Sequence, residues 1–225
     1  MNKFVALVPM RHFSQRIAGK NYRNLAGKPL YQHILSTLLS CREIDEIVVD
    51  TDSQEIMEGI KNNYPEIHLI SRPEHLRGEE ISMNEVLLHD TQQVEAEFYL
   101  QTHTTNPLLG AETISKAIGI MLEKYPAYDS LFSVTRIQTR LWDQLGRAIN
   151  HNPDILLQTQ DLPPVYEENS CLYMFTRDTL ISGRNRLGKR PFMLEIDAAE
   201  AWDIDEEIDF MIVDLLMKEI QRGKD

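Results

Sequence analysis

Short runs of apolar residues alternate along this chain with longer segments in which apolar positions recur every three or four residues. FVALV (4–8) and EIVVD (46–50) are nearly unbroken apolar runs. IHLI (67–70), EFYLQT (97–102), SLFSVTR (130–136), CLYMF (171–175) and PFMLEI (191–196) continue the series. Runs of this length predict strands, and continuous rather than alternating apolarity predicts burial on both faces of a sheet. Between them, PLYQHILSTLLSC (29–41) sets Leu30, Ile34, Leu38 and Leu39 at helical spacing, with Pro29 tolerated in the first turn. SQEIMEGIKNN (53–63) predicts a helix capped by Ser53. SMNEVLLHDTQQV (82–94) predicts one opened by Ser82, with Glu85 completing a capping box. Further helices are predicted over 111–124 and, from EEIDFMIVDLLMKEI, over 206–220.

Strands that alternate with helices in this way predict an α/β fold built on a doubly wound, mostly parallel sheet. Ligands of such sheets sit beyond the carboxyl ends of the strands. The rhythm fails after residue 137, where RLWDQLGRAINHNPDILLQTQDLPPVYEENS is polar, proline-marked and aperiodic. Residues 137–169 are therefore expected to leave the sheet as a protruding arm that packs on a second subunit. Residues 1–225 are otherwise expected to form a single domain, without internal repeats.

Charge sharpens this picture. The chain carries a net charge of -12, yet residues 1–42 hold seven of its 23 basic residues and none of its 35 acidic ones. An acidic total argues against a broad nucleic-acid surface, whereas a local basic patch suits a small anion held at one site. No run of about 18 apolar residues occurs, and MNKFVALVPM is too short for a signal segment, so a cytoplasmic protein is expected. Cys41 and Cys171 form no CxxC and read as reduced structural residues.

The basic patch is PMRHFSQRIAGKNYRNLAGKPL, residues 9–30, which directly follows the first strand. Gly19 and Gly27 permit positive φ and close backbone approach, and Arg11 and Lys20 can pair with phosphate oxygens. Near the other end, EAWDIDEEIDF (200–210) places Asp203 and Asp205 one residue apart, on the same side of an extended segment. Two hard carboxylates with substrate phosphates form a common Mg²⁺ site; the competing reading is a cap on the following helix. VVDTDSQ offers Asp50 and Asp52 after the second strand. A DxD there could serve a phosphatase of the haloacid-dehalogenase type, although those proteins place it after the first strand, and a sheet-end turn is the preferred reading. The P-loop, GxGxxG, HExxH and GxSxG signatures are missing.

Taken together, RHFSQRIAGKNYRNLAGKPL, DTDS, THTTNPLL, EENSCLYMF and EAWDIDEEID resemble, in order, blocks of the CMP-N-acylneuraminate synthetases and related CMP-sugar synthetases. The resemblance spans about residues 3–220. It implies a nucleotide-diphospho-sugar transferase-like fold, commonly a homodimer, that joins CTP and a small acidic 2-keto sugar into a CMP-sugar with release of pyrophosphate. It implies Mg²⁺ on Asp203 and Asp205, with Arg11, Ser14, Lys20 and Asn21 on the phosphate and ribose side. Arg72 and Ser82 would face the cytosine, Tyr173 would lie by the sugar, and Arg11, Lys20 and Asp203 would carry the chemistry. No nucleic acid or membrane partner is implied.

The acceptor half departs from the family. HTTNPLL stands where the sialic-acid enzymes typically carry QPTSPLR, which puts His103 at the sugar-side Gln position and Leu109 at the Arg. Thr159 and Glu167 fall where those enzymes place arginines against the sugar carboxylate. A buried carboxylate without a cation is costly, so Arg136, Arg140 or an arm residue of a second subunit is expected to supply the charge. The alternatives are an acceptor of another kind, a Kdo-like acid or a phosphonate, or a homologue that binds nucleotide without chemistry.

Overall fold

The computed structural model describes residues 3–14, 16–78 and 80–223. Gln15 of the basic stretch and Glu79 of the segment 71–82 thus lie outside the described residues. Every residue of β1 (Phe4–Met10) is buried, so this strand runs past FVALV to Met10. After the basic loop come a two-strand hairpin, β2 (Asn24–Leu25) and β3 (Lys28–Pro29), and then α1 (Leu30–Ser40). β4 (Glu46–Thr51), α2 (Gln54–Asn63), β5 (His68–Ser71), α3 (Met83–Gln93), β6 (Phe98–Thr102) and α4 (Ala111–Lys124) then alternate. The caps follow the spacing: Ser53 accepts from the Ile56 amide, and Ser82 and Glu85 form a reciprocal capping box. The second half holds β7 (Ser130–Ile137), β8 (Val165–Phe175), α5 (Arg177–Gly183), β9 (Pro191–Glu195) and α6 (Glu207–Arg222).

Seven strands form one sheet in the order β5-β4-β1-β6-β8-β7-β9. Neighbours are parallel except at β8, which runs antiparallel to both β6 and β7. The sheet is mostly parallel, as expected. The chain winds outward from β1 through β4 to β5, then returns to set β6 on the other flank of β1. Strand order reverses at that point, so a crevice opens beyond the carboxyl ends of β1 and β6. The period-two alternation of β1 divides the core. Phe4, Ala6 and Val8 pack with Leu35 and Leu38 of α1 and Ile114 of α4. Val5 and Leu7 pack on the opposite face with Leu87 of α3 and Leu180 of α5. A third cluster joins Ile17 and Leu25 to Ile204, Phe210 and Val213, fastening the basic loop to the chain around α6.

Strand β8 claims the end of the segment read above as an arm, beginning at Val165 rather than Cys171. Its polar first half escaped the apolar-run criterion because Glu167 and Glu168 are exposed. The strand also carries a wide bulge: Phe132 pairs with Tyr173, whereas Val134 pairs with Glu168. Ser170 adopts φ 59 there. Asn169 plugs the bulge. Its Oδ1 accepts from Ser133 Oγ at 2.6 Å and from the Cys171 amide at 3.2 Å, and its Nδ2 donates to Thr135 Oγ1 at 2.9 Å. The excursion that remains, 138–164, turns back on itself through a Trp142–Ala148 bridge and Gly146 at φ 74. It exposes Leu145, Ile149, Ile155 and Leu156.

Asn169→Ala would strand the Cys171 amide and free the Ser133 hydroxyl inside the sheet. Chemical denaturation is expected to show a loss of about 2–4 kcal/mol, from unmade buried hydrogen bonds. An unchanged midpoint would mean that the bulge is held by other contacts.

Candidate active site

The loop after β1 is folded by its own backbone and tied to two neighbouring loops. Gly19 takes φ 64, and a Cβ placed there would meet the Tyr22 ring at 2.6 Å. Only glycine fits that corner without displacement. Asn21 Nδ2 donates to the Arg11 carbonyl at 2.8 Å, while its Oδ1 accepts from Thr104 Oγ1 at 2.6 Å, bracing the loop against the segment after β6. The His12 amide donates to Asp52 Oδ1 at 2.7 Å and its imidazole Nδ1 lies 2.8 Å from Ser53 Oγ, bracing it against the segment after β4. Asp52 is thereby occupied as a loop anchor. Asp50 is 1% exposed and bonded to the Arg72 guanidinium. Neither carboxylate is presented as a phosphatase nucleophile would be.

These loops enclose a cleft of about 380 Å³ at the expected crevice, lined in part by Arg11, Ser14, Lys20, Asn21, Arg72 and His103. That volume falls within the range of small-ligand sites, roughly 300–1,000 Å³. A larger hollow of about 560 Å³ lies at the amino ends of the strands, beside Lys3, Glu97 and Arg177. It is remote from the switch point, and its mixed charges converge on no reacting centre.

One wall of the cleft is a meeting of opposite charges. Lys20 is buried, and its Nζ donates to the Ile204 carbonyl at 2.7 Å and lies 3.8 Å from Asp205 Oδ1. Burial pulls the Lys20 ammonium below its ordinary pKa, against the opposing pull of Asp203 and Asp205. Arg16 Nη2 reaches Asp205 Oδ1 at 2.7 Å. Burial pushes the Asp203 carboxyl up, although a hydrogen bond from Thr105 counters part of that. Its Oδ1 is buried without a partner among the described residues. Neither aspartate caps the next helix: Glu206 does, in a reciprocal box with Asp209. A buried carboxylate oxygen left unpartnered, with a second carboxylate beside it, fits a hard divalent cation completed by ligand oxygens.

Behind the cleft lies a second polar cluster. Arg72, 2% exposed, donates through Nε to Asp50 Oδ1. Asp90 of α3 lies beside Asp50, and His89 Nδ1 stands 3.2 Å from Asp90 Oδ1 and 3.9 Å from Asp50 Oδ2. Burial first, then the neighbouring Asp50, pushes the Asp90 carboxyl up to about 9. Asp50 and Arg72 therefore form the ion pair while Asp90 keeps its proton. Of the two residues expected at the base, Arg72 lines the cleft with its guanidinium engaged from behind. Ser82 does not line it: the hydroxyl is exposed and bonded to Glu85 Oε2 at 2.9 Å, because helix α3 uses it as a cap.

At the His103 end of the cleft, that side chain is followed inward by a chain of bonds that sequence reasoning missed. Arg186 Nη1 donates to Gln101 Oε1 at 2.5 Å. The Gln101 amide nitrogen must then donate to the Thr102 carbonyl at 3.1 Å and to His103 Nε2 at 2.9 Å. His103 is thereby fixed as the tautomer protonated on Nδ1. Burial, with Arg186 and Lys20 nearby, drives its pKa down to about 3, so it is a neutral donor at physiological pH. Arg186 stacks 3.5 Å above the centre of the Tyr173 ring, and the Tyr173 hydroxyl donates to Glu168 Oε1 at 2.5 Å. Arg140 is not brought to this end. It lies in the excursion and donates to the Leu157 carbonyl, since the chain turns away from the sheet there. The one available sign of Arg186 was the basic run RNRLGKR at 184–190, which carried no periodicity.

The cytidylyltransferase family profile matches residues 5–215 of this chain. The chain belongs to the cytidylyltransferase family. Among characterised relatives, the CMP-N,N'-diacetyllegionaminic acid synthase of Legionella pneumophila is 29% identical over 96% of this cytidylyltransferase and 97% of its own length. The post-translational flagellin modification protein B of Campylobacter coli is 24% identical, over 97% of each chain. Among solved structures, a CMP:2-keto-3-deoxy-manno-octonic acid synthetase complexed with CTP matches with a TM-score of 0.72 at 18% identity, covering 96% of this chain and 99% of the other. That likeness places the cytidylyltransferase in the expected fold.

The protonated Asp90 gives a pH dependence of stability. An unfolded aspartate loses its proton near pH 4, whereas folded Asp90 holds it to about 9, so the native state binds more protons across that window. Stability must then fall as pH rises through it. Asp90→Asn is expected to flatten the decline in thermal midpoint between about pH 6 and about pH 8. A wild-type decline no steeper than the variant's would show that Asp50, Arg72 and His89 settle the charge in another way.

Proposed function

We propose that this chain acts in the cytoplasm to transfer CMP from CTP to a hydroxyl of a 2-keto sugar acid of the nonulosonate class, releasing pyrophosphate. The observation that carries the reading is the wall of the cleft where Lys20 and Arg16 face Asp203 and Asp205 at the strand-order switch point. Cations there suit a triphosphate. A carboxylate oxygen without a partner suits the Mg²⁺ that accompanies one. The relatives that make CMP-legionaminate and CMP-Kdo by name support cytidine as the base and a keto sugar acid as acceptor.

In this mechanism the oxygen of the sugar hydroxyl attacks the α-phosphorus as its proton passes to solvent, the bond to the α–β bridging oxygen breaks, and pyrophosphate departs with the electron pair. Arg11 and Lys20 hold the β- and γ-phosphates and offset the charge that develops on the leaving group. Asn21 positions Arg11 through its backbone carbonyl. Ser14 lines the cleft and would offer its hydroxyl to phosphate oxygens. Asp203 and Asp205 would hold Mg²⁺, which when bound neutralises phosphate charge and orients the triphosphate. Arg72, fixed by Asp50, faces the base. His103, neutral, donates a hydrogen bond from Nδ1 and does not act as the base that removes the hydroxyl proton.

The deciding experiment incubates the protein with CTP, Mg²⁺ and a panel of N,N'-diacetyllegionaminate, N-acetylneuraminate and Kdo, recording pyrophosphate and the mass of any CMP-sugar. Turnover with CTP and one acid, but not with UTP or ATP, is the expected result. Binding of CTP without turnover of any acid would favour a homologue with a different acceptor or with none. Asp203→Ala is expected to lower kcat about 100-fold or more while leaving the circular dichroism spectrum intact. Full activity of that variant would remove Asp203 from the reaction.

A homodimer belongs to the same proposal, since Leu145, Ile149, Ile155 and Leu156 of the excursion are exposed. Light scattering is expected to return twice the mass of the chain, and mass falling to that of one chain when Leu145 and Leu156 are both changed to Asp. A wild-type monomer at working concentration would overturn this part.

A further inference from the structure

His103 lines the cleft, and Gln101, which bonds it from behind, also holds an arginine of a neighbouring segment. Arg186 comes from the segment between α5 and β9, and its backbone amide donates to Asn84 Oδ1 at 3.2 Å, next to Met83 of the cleft wall. Its guanidinium is half-buried, lies flat on Tyr173 and gives one hydrogen bond to Gln101. Among the described residues no carboxylate forms an ion pair with it. Glu168 is the acid that acts on it through space. Glu168 Oε1 is taken by the Tyr173 hydroxyl, and the Glu168 side chain is open to solvent, which screens it. A partly desolvated cation without a counter-ion is costly, and the site recovers that cost when an anion arrives.

We infer that Arg186, held flat by Tyr173 and aimed by Gln101, is the cation that receives the carboxylate of the acceptor acid. This rests on the reaction proposed above and adds the residue that selects for an acid. The argument is geometric. Stacking and the Gln101 bond fix the plane of the guanidinium, and its Nη2 and Nε edges are not engaged by any carboxylate of the described residues. A carboxylate can take such an edge through two parallel bonds. Gln101 bonds Arg186 on one side and His103 on the other, so the same amide orients both the cation and the His103 ring that lines the cleft. An acid bound there would meet a charge and a neutral donor in fixed register.

The test uses the full chain and two readouts, one independent of turnover. With an acid from the panel that is turned over, Arg186→Gln is expected to raise the acceptor KM roughly 10- to 100-fold, the loss of one charged hydrogen-bonded contact. CTP affinity by calorimetry should stay within about twofold, because the phosphates are held elsewhere. Arg186→Lys should recover only part of the loss, since an ammonium cannot reproduce the planar fork. In ¹⁵N-arginine-labelled protein with CTP bound, the Nε resonance that disappears in Arg186→Lys should shift with N,N'-diacetyllegionaminate, N-acetylneuraminate or Kdo, and not with the methyl ester of the same acid. An acceptor KM unchanged in Arg186→Gln, or an equal shift with acid and ester, would overturn the inference. A shift specific to the acid with no turnover would support Arg186 while the proposed reaction fails. No shift with any acid, whether or not the protein turns one over, would overturn the role of Arg186.

Discussion

Lys20 carries an ammonium into a place with little water, and three distant parts of the chain are arranged around that charge. The loop after β1 delivers it, through the left-handed turn at Gly19. The Ile204 carbonyl accepts a hydrogen bond from it at 2.7 Å, across 184 residues of sequence. Asp203 and Asp205 supply the opposing charge. Ile204 can do this only because its own amide is anchored to the Thr105 carbonyl at 2.9 Å, in the segment after β6. The loop, the β6 segment and the entry to α6 thus meet at one ammonium. Each is held by the other two, and the apolar contacts of Ile17 with Ile204 and Phe210 close the same triangle from the dry side.

The two ends of the cleft are built on different principles. At the phosphate end, charges oppose one another directly, and polarity depends on which ions are present. At the His103 end a shared amide does the ordering: Gln101 accepts from Arg186 on its oxygen and donates to His103 from its nitrogen, while Arg186 also acts on His103 through space. Strand β8 makes this possible. Because it runs antiparallel beside β6, Tyr173 lies opposite Gln101 in register, and the bulge plugged by Asn169 lets the polar half of the strand rejoin β7 without breaking the sheet. A parallel strand at that position would have presented a different residue under the arginine.

Much of this architecture could be read from the chain, and the reasons for the rest are physical. Buried parallel strands must be continuously apolar, so β1 and β4 declared themselves, and the caps of α2 and α3 were fixed by residue spacing alone. The glycine-punctuated basic stretch pointed to the crevice because it follows the first strand. Strand β8 did not show its full length, since its first half is polar at an exposed edge of the bulge and its last half alone is apolar. The helix-cap reading of Asp203 and Asp205 was removed by Glu206, a less common cap that no spacing rule favoured. Gln101 and Arg186 could not be paired from sequence, because their contact joins residues 85 apart through tertiary packing.

Arg16 gives the phosphate end its logic. It is paired with Asp205 at 2.7 Å, although both side chains are well exposed to solvent. An exposed pair of this kind contributes little, typically about 0–1 kcal/mol, so it is inexpensive to break. Asp203 next to it is the opposite case: half-buried, with a buried Oδ1 that lacks a partner among the described residues and a carboxyl pushed toward its neutral form. The site is thus under-neutralised on the Asp203 side and weakly tied on the Asp205 side. A divalent cation arriving with a triphosphate would satisfy the first and release Arg16 from the second, leaving the guanidinium free to follow the phosphates. Under the proposed reaction, binding of cation and nucleotide would then be coupled through a single arginine.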